Sequence, residues 1–82
     1  MLERIQIDPD LHFGKPCVRN TRIPVYCVLE LLGQGVPMNE VPRDYYPDLT
    51  TEDVLACLEY ATALLRGDET HASPEGAHAP AH

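Results

Sequence analysis

The side chains best equipped for chemistry stand close together near the start of the chain: Lys15, Arg19, Thr21 and Arg22. A guanidinium presents a planar fork of donors that matches a carboxylate or a phosphate, and a threonine hydroxyl suits phosphate or backbone. These four residues are the candidate contacts for a partner protein or a nucleic acid. The competing reading makes Arg22 one half of an ion pair, with a carboxylate of another helix or of a second subunit, and leaves Lys15 solvated in a fixed turn. Gly14-Lys15-Pro16 is not a phosphate loop. That pattern needs G-x-x-x-x-G-K-[ST], and here proline follows the lysine.

No constellation points to catalysis. Cys17 has no histidine near it in sequence to draw off its proton, and Cys27 and Cys57 fall in helical patterns, where a thiol is a small apolar residue. Glu52 and Asp53 are neighbours and diverge on a helix, so they do not form a general acid/base pair. His12 stands alone, while His71, His78 and His82 lie in the final stretch at spacings that allow only weak, adventitious metal binding. The expectation is a protein that is not an enzyme, with no catalytic residues, no metal site and no cofactor. Tyr45 and Tyr46, beside Pro47, are expected to plug a core or an interface rather than stack on bases.

Charge narrows the choice of partner. The chain of 82 residues has six basic and thirteen acidic side chains, a net charge of -7. Proteins that bind nucleic acid alone usually carry a basic surplus, because phosphate neutralisation supplies much of their affinity. The balance is uneven along the chain. Residues 1–25 sum to +1, residues 26–66 to -5. Any surface for an anionic partner therefore belongs in the first third.

The elements that must position these residues read as follows. Residues 4–7 alternate polar and apolar, as in a short half-buried strand, and Asp8-Pro9-Asp10 ends it. Residues 11–16 form a loop with Gly14 as its pliable point, and residues 17–23 a second extended segment that pairs with the first, Asn20 being a turn residue. Pro24 suits the first position of a helix over 24–33, in which Val25, Val28, Leu29 and Leu32 share one face and Gly33 and Gly35 supply the stop. A second helix over 37–46 is distorted or broken at Pro42, since an interior proline costs about 3 kcal/mol, and Pro47 closes it. Thr50 and Asp53 form an approximate capping box for a third helix over 51–66, whose core face is Val54, Cys57, Leu58, Ala61 and Leu65. Residues 1–66 thus make one domain, mostly α with a short N-terminal β element. Residues 67–82, which lack Val, Ile, Leu, Phe and Tyr, read as a disordered acidic, histidine-containing tail. No apolar run approaches the roughly 18 residues of a membrane span. Three cysteines without C-x-x-C spacing favour reduced thiols and a cytoplasmic location. A domain this small gains from burial in a homodimer.

Ile7-Asp8-Pro9, Gly14-Lys15-Pro16-Cys17-Val18-Arg19 and Thr21-Arg22-Ile23-Pro24-Val25 resemble the bacterial and archaeal family called domain of unknown function 433. Leu29-Glu30-Leu31-Leu32, Gly35, Tyr46-Pro47-Asp48-Leu49-Thr50, Glu52-Asp53-Val54 and Ala61 continue the resemblance, which covers about residues 4–66. It implies a three-helix, homeodomain-like helix-turn-helix core. It also implies an antitoxin that neutralises a PIN-like nuclease toxin by direct protein binding. The alternative within the same resemblance is a DNA-binding helix-turn-helix regulator of its own operon. The motif residues Asp8, Pro9, Gly14, Pro16, Pro24, Pro47 and Thr50 then have structural roles. Two departures stand out: Pro37 and Pro42 occupy the second helix, and the Asp44-Tyr45-Tyr46-Pro47 turn is one residue longer than the family's commonest form. Glu52 and Asp53 at the start of the third helix serve capping and the helix dipole better than they serve contact with DNA.

Overall fold

The structure is a computed structural model that describes residues 1–68. The expected tail lies, beyond Asp68, outside the described residues. A two-stranded antiparallel sheet leads. Its strands β1 (Ile5–Gln6) and β2 (Cys17–Val18) pair Ile5 with Val18 and Gln6 with Cys17. A short turn of 3-10 helix, Leu2–Arg4, precedes β1. The second extended segment is shorter than the expected 17–23, because a tight turn cuts it off. Asn20 takes a left-handed φ of 65°, which asparagine tolerates better than other residues with a side chain. The Thr21 hydroxyl then donates to the Val18 carbonyl at 2.7 Å and accepts from the Ile23 amide at 3.0 Å. The chain turns back on itself, and Cys17 forms a further antiparallel bridge with Pro24.

Helix α1 (Val25–Gly33) follows at once. Pro24 caps it from outside, with φ -67° and ψ 146°, one residue earlier in the helix scheme than its expected first-turn place. Its ring fixes φ and its missing N–H leaves no donor orphaned. The helix stops as expected, with Gly35 at φ 93° and the Val36 amide returning to the Leu31 carbonyl. The expected 37–46 helix is broken in the region of Pro42. The Glu40 amide bonds back to Pro37, and then one wide π-helical turn runs over Val41–Tyr45. Its closing bond joins the Tyr46 amide to the Val41 carbonyl, five residues back, at 2.8 Å.

Helix α2 (Thr51–Arg66) has the capping box that its sequence announces. The Asp53 amide donates to Thr50 Oγ1 at 3.2 Å and the Thr50 amide donates to Asp53 Oδ2 at 2.9 Å. Gly67, left-handed at φ 85°, ends the helix. The domain is mostly helical: two α-helices and the π turn between them, with the small sheet at the N-terminal end.

Ile5, Val18, Val25, Val28, Val41, Leu49, Val54, Ala56, Cys57 and Tyr60 form the core. Burial of each aliphatic side chain contributes about 1.5–3 kcal/mol. The buried face of α2 is turned relative to expectation. Val54 and Cys57 are buried, but Ala56, Tyr60 and Ala63 complete the face, while Leu65 is 87% exposed. The steps 56, 60, 63 are also helical spacing, and the small alanines let α2 lie close against α1 and the sheet. A reading weighted toward leucines chooses the wrong stripe. Tyr46 packs against the core, as expected, whereas Tyr45 is half exposed.

Candidate functional site

The segment from Asp8 to Arg22 is a loop pinned at both ends. Asp8 begins it with an Asx-type turn, its Oδ1 accepting from the Asp10 amide and its carbonyl from the Leu11 amide, both at 2.9 Å. His12, Phe13 and Gly14 then all adopt left-handed φ values of 50°, 58° and 81°. For residues with a side chain that conformation costs roughly 1–2 kcal/mol each. Local bonds hold it: the Gly14 amide to Leu11 at 3.0 Å, the Lys15 amide to His12 at 3.1 Å. The His12 ring reaches across to the Arg22 carbonyl, with Nε2 at 2.7 Å. A carbonyl only accepts, so Nε2 carries the proton in that contact. The Pro16 carbonyl, in turn, accepts from the Val25 amide at 2.9 Å. The loop thus ties Gly14, Pro16, Arg22 and the start of α1 together, with Gly14 as its left-handed corner.

The loop's strain serves no burial. Phe13, at its apex, is 98% exposed. Isolated exposed apolar residues are ordinary, but an aromatic held outward by three consecutive left-handed residues is not.

The expected contact residues fall into three situations. Thr21 spends its hydroxyl on the internal turn. Lys15 lies over the Tyr26 ring, 5.5 Å from its centroid, and Arg19 donates through Nε to the Glu3 carbonyl. The Arg22 guanidinium is exposed and, among the described residues, forms neither a hydrogen bond nor an ion pair, so the internal pairing weighed for it is not formed within the chain. The contrast with the other three cations is sharp. Arg4 meets Asp53 at 2.9 Å, Arg43 meets Asp44 at 3.0 Å and Glu40 at 3.5 Å, and Arg66 meets Asp68 at 3.7 Å. Among the described residues every Lys or Arg outside residues 15–22 has a carboxylate, and none inside has one.

Two hollows flank this segment. One is lined by Leu11, Asn20, Thr21, Arg22, Ile23 and Asp48. The other, about 330 Å³ and largely apolar, is lined by Lys15, Pro16, Val25, Tyr26 and Leu29 from the loop and α1 and by Tyr60, Ala61 and Leu64 from α2. Burial disfavours the thiolate at Cys57 and Cys17. Burial and the nearby Asp53 charge push Cys57 up to about 12, and burial followed by Cys27 raises Cys17. Among the described residues no three His, Cys, Asp or Glu side chains group as metal ligands would. No helix among them is long and apolar enough to cross a membrane.

A family model described as "Protein of unknown function (DUF433)" matches residues 5–61, the span that contains the sheet, the loop, α1, the π turn and most of α2. The chain belongs to the DUF433 family. The crystal structure of a DUF433 member protein from Anabaena variabilis is similar to this DUF433 chain, with 41% sequence identity and a TM-score of 0.66. The alignment covers 72% of this chain and 57% of that one, so the chain spans little more than half the length of that relative. The curated proteins searched give no match.

Two residues of this DUF433 site escape sequence reasoning. Arg4 reads as a strand residue, but it clamps Asp53 across 49 positions of chain. Phe13 reads as one apolar residue in a loop. The only hint of its role is that it is the sole phenylalanine and is followed by glycine.

Proposed function

We propose that this protein is the antitoxin of a toxin–antitoxin pair and neutralises a PIN-like nuclease toxin by direct protein binding. One observation carries the reading: among the described residues Lys15, Arg19 and Arg22 have no carboxylate partner, on an otherwise acidic chain, while Arg4, Arg43 and Arg66 all have one. A nuclease needs cations where phosphates lie and carboxylates where its metal ions lie. This chain carries the complement of both, with free cations in the 15–22 segment and an acidic surplus after residue 25. Such complementarity raises association rates and fixes orientation.

The other reading, a DNA-binding helix-turn-helix regulator, would use α2 as its recognition helix. The first turn of α2 holds Glu52 and Asp53, which repel phosphate, and the one arginine of α2 is Arg66, paired with Asp68. The free cations lie on the loop instead.

The proposal requires a PIN-like nuclease gene beside this one, and co-expression with that gene tests it; the absence of such a neighbour overturns it. The expected results are protection of the cells, a co-purifying complex, and loss of both in the Arg19→Glu/Arg22→Glu double variant. No binding to the promoter fragment is expected from the isolated protein at about 50 mM salt, where the phosphate contribution is strongest. An unprotected cell, or a double variant that binds its nuclease as well as the wild type, overturns the antitoxin reading. Tight promoter binding at that salt would favour the regulator.

A further inference from the structure

Phe13 and the apolar hollow beside Tyr26 have no role in the account above. We propose that Phe13 seats in that hollow of a second copy of this chain, twice over, in a two-fold symmetric dimer. Phe13 is 98% exposed and is not among the residues lining the hollow of its own chain. The hollow is open, with Tyr26 49% and Leu64 51% exposed. It is a cleft with largely apolar walls that no apolar side chain of the described residues fills.

Placement favours a second copy over an unrelated partner. Lys15 lines the hollow and stands two residues from Phe13, so knob and hollow adjoin on one surface. A two-fold axis between them brings each Phe13 to the other chain's hollow, which is the self-complementarity that an isologous interface requires. The charges agree. Lys15 has no carboxylate partner, and Glu30, one helical turn beyond Tyr26 on α1, is in no ion pair among the described residues. A patch bearing one unpaired charge of each sign is matched by another copy of itself, whereas a partner of single sign leaves one of them opposed. Buried aromatic anchors dominate the energetics of such interfaces, and a domain of this size gains from the burial. The proposal shares Lys15 with the antitoxin reading but uses neither Arg19 nor Arg22, so the Arg19→Glu/Arg22→Glu variant and Phe13→Ala test the two separately. The Arg22 hollow and the Tyr26 hollow share no lining residue.

Sedimentation equilibrium of the full chain over a concentration series tests it. The expected species is a closed dimer. Phe13→Ala, which removes both knobs, is expected to raise the dimer dissociation constant about a hundredfold or more. Ala61→Phe, which fills the hollow, is expected to do the same, with Leu64→Ser as a second hollow variant should Ala61→Phe fail to fold by circular dichroism. An equimolar mixture of Phe13→Ala with a hollow variant restores one knob in one hollow, so the heterodimer is expected to be tighter than either variant's homodimer. A wild type that stays monomeric throughout overturns the proposal, even if it captures its nuclease through Phe13. So do a dimer indifferent to Phe13→Ala and open-ended assembly in place of a closed dimer.

Discussion

Arg4 and Arg22 lie at opposite ends of the same small sheet-and-turn unit, and they behave oppositely. Arg4 is matched: it meets a carboxylate that also caps α2, and that pair joins the start of the described chain to its last helix. Arg22 is unmatched, as are its neighbours Lys15 and Arg19, and the loop that carries them holds left-handed residues and an exposed aromatic. The difference separates two uses of charge. Where ionic groups hold elements together they find partners inside the chain. Where they do not, no carboxylate among the described residues neutralises them, and the neighbouring backbone sustains a conformation that costs stability.

That contrast can be broken or sharpened experimentally. The largest effect belongs to the matched side's core. Leu49, 4% exposed and leading into α2, is expected to cost about 2–4 kcal/mol on truncation to alanine, read by chemical denaturation. Asp53→Ala comes next, at about 1–2 kcal/mol, since it removes the reciprocal cap and strands Arg4 together. An Asp53→Ala melt equal to the wild type would deny the matched end its structural role. On the unmatched side the sign reverses. Phe13→Gly is expected to raise the stability of the dilute protein by about 0.5 kcal/mol. Relief of roughly 1–2 kcal/mol of left-handed strain exceeds the roughly 0.5–1 kcal/mol that glycine's extra chain entropy costs. A destabilised Phe13→Gly would show that the ring packs on its own chain. Smallest is Arg22→Ala, expected to change unfolding free energy by less than about 0.5 kcal/mol, as exposed substitutions without partners do. Its effect belongs in the co-purification assay instead.

Much of this arrangement is legible in the sequence, for identifiable reasons. Gly35, Gly67, Thr50 and Asp53 punctuate helices through backbone rules that operate within four residues, so the ends of α1 and α2 follow from local chemistry. The break near Pro42 follows from one missing N–H. The rotation of α2 does not. Whether Leu65 or Tyr60 faces inward depends on how far the rest of the chain extends to cover each stripe, and that is a non-local fact. The same holds for the site. Arginines that could contact a partner can be recognised by type, but which of them lack a carboxylate emerges only once the chain has closed, since Arg4 and Asp53 are 49 positions apart. The Phe13 loop depends on a bond from His12 to a carbonyl ten residues away, which no periodicity encodes.

The π turn at Val41–Tyr45 bears on how related chains are to be aligned. A turn closed over five residues contains one more than an α-helical turn does. The Asp44–Pro47 stretch overlaps that wide turn at Asp44 and Tyr45. An insertion there is expected to be taken up by widening a single turn, with the buried face of α2, its cap and its clamp to Arg4 undisturbed. Deletion of Asp44 is accordingly expected to shrink the turn while the helix after it keeps its register.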